Sequence, residues 1–456
     1  MLKPRNIVLG KDSAMILQSK RVKQFTLAFL VNLVALSGGA FALESSKGLK
    51  DLLQDEHASG ADLWIYNDIA RAREEARKQN KPMFVTFRCV PCEACAGFDA
   101  EVAKDSQRIR RLTADKFVAI RQVEMKGVDL TQFQFDYDLN WAAMFINADG
   151  TVYARYGTQS AAGPDAYNSV EGLEKTMQRV LKLHAGYPYN APYLEGKRGE
   201  SKPYRTALEM PGLDNKEKLV GTTSRQNCIH CHNVHDAMHR QAQRTDSYTQ
   251  AMLWKYPLPE NIGLIIDAND GTRIASLAPG TPAAASVLKP GENILFVNGQ
   301  VISSIADIQW VLHNLPNTAT SVEVTTGRSR GVTLALPADW KRTDISWRGS
   351  MWSLSPRLRI WAPQLTDAQK RERGIPSDEG AYLVRWINRD MDAGRAAHDA
   401  GLRQEDVIVA VAGEALNMTW AQLSVHIKLN YQVGDELPLT VLRGGERQLI
   451  HVKLVE

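Results

Sequence analysis

Residues 83–95 read Met83-Phe84-Val85-Thr86-Phe87-Arg88-Cys89-Val90-Pro91-Cys92-Glu93-Ala94-Cys95. The first five form a short apolar run, predicted to be a strand buried on both faces. Three cysteines follow immediately, so the strand delivers thiols into the turn after it. Upstream, Ile69 to Lys78 is helical by composition and apolar spacing, and Lys81-Pro82 stops it. Downstream, Phe98 to Leu112 resumes helical character, and Phe117–Ile120 and Ala143–Ile146 read as further strands. Asn147-Ala148-Asp149-Gly150 is a hairpin turn into Thr151–Ala154, and a last helix runs from near Gly172 to Leu183. Residues 43–185 are therefore expected to form one α/β domain.

That order of elements, with cysteines at a strand-to-helix junction, resembles the thioredoxin fold. In thioredoxin-like proteins the active Cys-x-x-Cys begins about five residues after the last phenylalanine of the strand. Counting from Phe87, the resemblance places the pair at Cys92 and Cys95, with Cys89 an extra thiol in the preceding loop. It implies a catalytic role for Cys92 as attacking thiolate and Cys95 as its resolving partner, with Cys89 a second resolver. A helix N-terminus favours a thiolate at Cys92, and Cys95 lies one turn below it. Two positions depart from the pattern: Pro91 stands where tryptophan is usual, and Trp141 stands where a cis-proline is expected. A permanent disulfide or a small metal clip is the structural alternative for the cluster.

A second motif, Cys228-Ile229-His230-Cys231-His232, has the Cys-x-x-Cys-His spacing of a c-type haem attachment site. Two thiols on one helical turn would reach the porphyrin vinyl groups, with His232 as the proximal iron ligand. Cys228, Cys231 and His232 are thus the candidate cofactor-binding residues for haem c, and His232 the candidate metal ligand. A structural disulfide, or zinc held by Cys228, Cys231, His232 and another histidine, are the alternatives. The surrounding segment, residues 186–255, is expected to be mostly helical from Glu217 to Leu253, with the motif inside the helix.

The 456-residue chain is 44% hydrophobic and 23% charged, with a formal net charge of +4 and five cysteines. Those values are ordinary for soluble domains, and without a basic face nucleic-acid binding has no support. Lys20, Arg21 and Lys23 precede an apolar run from Phe25 to Leu36 and a small-x-small site ending at Ala42. Residues 1–42 therefore read as a secretory signal, which predicts a periplasmic or otherwise exported protein. The membrane is a partner only if this leader stays uncleaved, because its apolar run is shorter than the ~20 residues that span a bilayer comfortably.

The rest of the chain repeats itself. Gly280 to Gly299 and Ala393 to Gly413 each carry a small-residue helix start, a tight turn, an apolar strand and a glycine turn. These stretches look like bacterial PDZ domains, expected over 256–342 and 343–456 as two mixed β domains. The resemblance makes Ile262, Gly263, Leu264 and Ile265 the candidate peptide-binding loop and strand, where backbone N–H groups capture a C-terminus. The matching region near Leu358-Arg359-Ile360-Trp361 lacks the glycine, so peptide binding is less expected there. No Gly-x-Ser-x-Gly or Gly-Asn-Ser-Gly-Gly nucleophile turn is present, which argues against a serine protease.

The whole arrangement resembles the thioredoxin/PDZ (seleno)protein family of planctomycete-type bacteria. The tokens are the Cys89–Cys95 cluster, the 228–232 motif, Tyr256 to Leu264, and Asp344-Ile345-Ser346-Trp347-Arg348. Two functions follow. One is an exported thiol-disulfide redox protein with covalent haem, a redox partner protein and PDZ-like repeats that dock a protein or peptide. The other is a non-enzymatic haem-bearing peptide-binding or sensor scaffold in which the cysteine cluster is structural.

Overall fold

A computed structural model of the protein describes residues 48–53, 55, 63–90, 96–224 and 226–456. The leader, Cys92 and Cys95 lie outside these residues. Five strands form the first sheet: β1 (Trp64–Tyr66), β2 (Met83–Arg88), β3 (Val118–Gln122), β4 (Trp141–Ile146) and β5 (Val152–Tyr156), in the order β1-β3-β2-β4-β5. β2 runs parallel to β3 and antiparallel to β4, with Met83 opposite Val118 and Ile146. As expected, β2 is buried throughout. Its alternation sorts side chains between two layers: Met83, Val85 and Phe87 enter one core, while Phe84 enters the other and stacks on Phe145 at 5.0 Å. Burial of each such ring contributes roughly 1.5–3 kcal/mol.

Helices flank this sheet. α1 (Ile69–Gln79) starts where the Asp68 carboxylate accepts from Arg71 N and ends at Asn80 in the left-handed conformation. α2 (Ala96–Ala100) follows the cysteine cluster, α3 (Gln107–Lys116) leads into β3, and α4 (Val170–Ala185) covers the Phe84 layer through Leu173, Met177 and Val180. The α/β reading of this part of the chain agrees with the structure.

Segment 186–255 departs from its expectation. Only α5 (Lys216–Leu219) and α6 (His232–Arg244) are α-helical there, with short 3-10 turns elsewhere. Cys228 to Cys231 precede α6 rather than lying in a helix. The cause is local hydrogen bonding that competes with helix formation: Asn227 Oδ1 accepts from Ser224 N at 2.6 Å and Asn227 Nδ2 donates to Thr222 O at 3.1 Å. Asn233 Oδ1 then accepts from His230 N at 3.0 Å. The two thiols therefore do not share one helical turn. Ile229, Val234 and Ala237 carry the segment onto the Met83–Phe87 layer of the first sheet.

The remaining chain contains two units, the second repeating the order of elements of the first after an additional strand and helix within 360–372. The first comprises β6 (Leu264–Ile266), β7 (Ile274–Leu277), α7 (Pro282–Ala285), β8 (Ile294–Val297), β9 (Gln300–Val301), α8 (Ile305–Asn314), β10 (Ser321–Thr326) and β11 (Val332–Ala335). The second contains β12 (Ile360–Trp361), α9 (Asp367–Glu372), β13 (Tyr382–Leu383), β14 (Trp386–Ile387), α10 (Asp392–Asp399), β15 (Val407–Val411), β16 (Glu414–Ala415), α11 (Trp420–Asn430), β17 (Glu436–Arg443) and β18 (Glu446–Lys453).

Their environments differ. Every residue of α8 from Ile305 to Leu312 is buried, because its polar side packs on the first domain. Asp307 accepts from Lys197 Nζ at 2.6 Å, Gln309 from Thr158, and the Arg155 guanidinium lies 3.5 Å from the Trp310 ring centre. α11 is buried only at Leu423, Val425 and Ile427.

Candidate functional site

β2 ends at Arg88, so Cys89 leaves the sheet at its upper edge, beside Trp141, which is paired with Arg88 in register. Beneath this edge lies a buried charge cluster. Arg121 binds Asp55 at 2.7 and 3.0 Å and Asp99 at 2.7 and 2.9 Å; Arg88 also pairs with Asp99, to which Trp141 Nε1 donates at 3.2 Å. Two guanidiniums and two carboxylates compensate one another. Burial opposes ionisation of Asp55, but the Arg121 contacts outweigh it and hold the carboxyl below its usual range. Asp99 belongs to α2, so this cluster ties that helix to β2 and β3.

The 228–232 loop meets Cys89 from the other side. Cys89 Sγ lies 2.9 Å from His230 Nδ1, across 141 positions of sequence. Burial, and then the neighbouring His232, hold the His230 imidazole below the usual histidine range, so it is neutral at pH 7. Neutral imidazole accepts a thiol proton, and the resulting ion pair stabilises a thiolate. Cys231 stands in contrast. Burial first, and then the neighbouring charge of Cys89, push its thiol up to about 12. One sulfur of this site therefore has a base, and the other is held protonated.

These groups line a largely apolar, partly open cleft of about 260 Å³, which Tyr137, Asp138, Trp347 and Trp352 help to form. His232 packs its ring on Gly349, where a Cβ would come within 3.1 Å of the imidazole, and its Nδ1 lies 3.3 Å from Asp236 Oδ2. Ser353 Oγ donates to the other oxygen of Asp236 at 2.5 Å. Asp138 is bonded to His235 Nδ1 (2.8 Å), Arg348 Nη1 (3.1 Å) and Ser350 N (2.8 Å). Burial opposes its ionisation, but His235 and Arg348 hold the carboxyl well below the usual range. Asp136, Asp138 and His235 lie close enough together to hold a metal ion, but Arg348 already bonds both carboxylates and supplies the positive charge.

The residues expected from sequence thus separate. Cys89, Cys231 and His232 meet in one cleft. Cys228 lies instead in an apolar cluster with Leu53, Tyr66 and Val123, its thiol donating to Ser224 O at 3.0 Å. A doubly attached haem needs both sulfurs at one porphyrin edge. Cys231 and His232 line the cleft here, and Cys228 does not. The Asp236 partner on Nδ1 does suit His232 as a ligand, because a carboxylate on one ring nitrogen orients the other. Cys92 and Cys95 lie outside the described residues.

Gly263 adopts φ +83° at the head of β6, where a Cβ would meet Thr281 within 2.2 Å, and its N–H already donates to Glu260 O at 2.9 Å. Ile262 and Leu264 point into the core of the first unit, and Ile265 is half-buried. Sequence reading missed His230, Asp138, Asp236, Trp347, Gly349 and Trp352 as members of the site. His230 carried a signal as a second histidine inside the cysteine motif, and Trp347 as part of the Asp344–Arg348 stretch.

Comparison with known proteins accords with this layout. Residues 64–148 match a family model described as thioredoxin-like, and residues 255–325 match the PDZ domain model. The chain is similar to a probable periplasmic serine endoprotease DegP-like of Halomonas elongata, 26% identical over 204 residues, which is 44% of this chain and 40% of that protein. A protein of the same description from Pseudomonas putida (strain GB-1) is 28% identical over 206 residues, with the same coverage. The chain thus spans about two fifths of the length of the curated relatives it matches. Among solved structures, the HtrA3 PDZ domain bound to a phage-derived ligand is 20% identical and covers 22% of this chain and 85% of that one, with a TM-score of 0.18. The HtrA-type protease AlgW with decapeptide is 16% identical over 30% of this chain and 41% of that one, with a TM-score of 0.19. No described helix is long and apolar enough to cross a membrane. The chain carries a thioredoxin-like region followed by a PDZ domain.

Proposed function

We propose that this chain is an exported thiol-disulfide redox protein in which Cys89 is the reacting sulfur, His230 its base, and the two C-terminal units bind polypeptide partners. The observation that carries this reading is the 2.9 Å contact between Cys89 Sγ and His230 Nδ1 inside an apolar cleft. The thiol transfers its proton to His230, and the thiolate attacks one sulfur of a substrate disulfide. That S–S bond breaks, and the departing sulfur takes the proton. A second cysteine of the cluster, Cys92 or Cys95, then attacks Cys89 Sγ, forms a disulfide with it and displaces the substrate sulfur as the other thiol. The substrate gains two electrons, the protein dithiol becomes a disulfide, and a dithiol donor restores it. Cys231 is unsuited to attack, because it stays protonated at neutral pH. The test is reduction of a small aromatic disulfide by the prereduced full chain, with and without Cys89→Ser. Loss of turnover in the variant supports the assignment, and equal turnover overturns it.

A second reading, covalent haem c on Cys228, Cys231 and His232, is favoured by the motif spacing and by the Asp236 contact to His232 Nδ1. Bound there, haem would supply one-electron transfer, with Asp236 orienting its ligand. It requires Cys228 to leave Ser224 for the cleft. A visible spectrum of protein matured with the haem-attachment machinery, beside Cys228→Ala, decides it: a reduced α-band that survives denaturation and vanishes in the variant supports haem, and a colourless protein removes it.

A further inference from the structure

A separate cavity of about 120 Å³ opens where three parts of the chain meet: Tyr137 of the first domain, Lys202, His235 and Lys255 of segment 186–255, and Tyr256 and His313 of the first C-terminal unit. One water needs only ~10–15 Å³. Unlike the cleft of Cys89, this wall is mainly polar. Its polar groups are fixed from behind. Asp138 Oδ2 lies 2.8 Å from His235 Nδ1, and His313 Nδ1 accepts from Tyr256 N at 3.4 Å while its ring stacks on Tyr256 at 4.1 Å. Both imidazoles are thus left with Nε2 for the cavity, and that of His313 carries the proton. Tyr256 is 7% exposed, yet its hydroxyl makes no hydrogen bond among the described residues. The Lys255 ammonium makes no hydrogen bond or ion pair among them either. Burial, and then the Arg348 charge, bring this ammonium down to about 8, so it is a cation at pH 7. Burial, and then Lys255, hold the His313 imidazole well below the usual histidine range, so it is neutral. The exposed Glu200 is the carboxylate that lines the cavity, and Lys202 matches its charge. Asp136 and Asp138 act on Lys255 from farther away, each bonded to Arg348.

We infer that this cavity is a binding site for a small oxyanion, of the phosphate or short-carboxylate class, whose oxygens accept from Lys255 Nζ, His313 Nε2 and the Tyr256 hydroxyl. Enclosed donors without an acceptor are unfavourable, and a group that brings several acceptor oxygens and a negative charge satisfies them better than neutral water does. The site stands apart from the thiol chemistry and does not depend on it.

The test is equilibrium dialysis of the full chain against labelled inorganic phosphate and, separately, labelled acetate, in chloride buffer of constant ionic strength at pH 7. Expected is saturable retention of one anion per chain, weakened at least about tenfold by Lys255→Met and about fivefold by Tyr256→Phe. The second variant loses only a hydroxyl and keeps the ring stacked on His313, so it reads the site even where Lys255→Met does not fold. Whichever anion is held more tightly assigns the class: phosphate a tetrahedral oxyanion, acetate a carboxylate. Retention that a folded variant leaves unchanged marks an adventitious surface site and overturns the inference. No saturable retention of either anion at about 1 mM means that water alone fills the cavity, and overturns it too.

Discussion

Replacing His230 with alanine removes the base from Cys89 and leaves the other walls of the cleft in place. The contact is 2.9 Å, partly buried, and one partner is charged whenever the thiolate forms. Such bonds contribute roughly 1.5–3 kcal/mol, so the thiolate population at pH 7 falls about 10- to 100-fold. The unassisted thiolate is the stronger nucleophile, since reactivity rises with thiol basicity at a Brønsted slope of about 0.4–0.5; that returns roughly 3- to 8-fold. The net expectation is alkylation of Cys89 about 3- to 12-fold slower at pH 7 in His230→Ala. At about pH 10, where thiols are ionised in both proteins, the order inverts and the variant reacts faster. The assay is iodoacetamide labelling of the reduced protein over a pH series, with Cys89 followed by peptide mass spectrometry. A rate ratio that is the same at both pH values, or a variant indistinguishable from the parent at pH 7, refutes the assignment of His230 as base.

Three further outcomes follow from the same geometry. Arg348→Met leaves Asp136 and Asp138 buried without their cation and should cost about 3–5 kcal/mol, read as a fall in urea midpoint; Arg348→Met with Asp136→Asn and Asp138→Asn should recover part of it. Cys231 should resist labelling in the folded protein at pH 8 and react at ordinary thiol rates once unfolded, because burial holds it protonated. Asp270, which receives Lys175 and Arg179 from α4, is held down to about 2 because those cations and Thr272 outweigh the effect of burial. A lowered carboxyl contributes its stability in full above the unfolded value near 3.8 and loses it as pH falls toward 2. The Tm difference between the parent and Asp270→Asn should therefore close between pH 5 and pH 2, and a difference constant over that range would remove Asp270 as an acid-sensitive tie.

Much of the fold was legible because local patterns and tertiary packing agree. The run 83–87 is apolar at every position except Thr86, whose hydroxyl donates to Ile120 O, because the strand is covered on both faces, and the small-residue, strand and glycine-turn pattern at 280–299 falls in the stretch that matches the PDZ model. The helical reading of Cys228–His232 failed where Asn227 and Ser224 satisfied each other and the neighbouring backbone instead.

By itself the sequence determined which residues have the chemistry: five cysteines in two clusters, a histidine-bearing motif, and the α/β and β-rich halves of the chain. Periodicity and spacing are local, so they are visible without a structure. Only the tertiary structure decided which sulfur meets which base. Cys89 and His230 are 141 positions apart and touch because Ile229 and Val234 pack on the face of the sheet that carries Phe87. The same packing directs Cys231 into the cleft and leaves Cys228 in a separate apolar cluster, although the two are three residues apart. Hydrophobic burial sets those positions over the whole chain at once, and no motif records where its partners will lie.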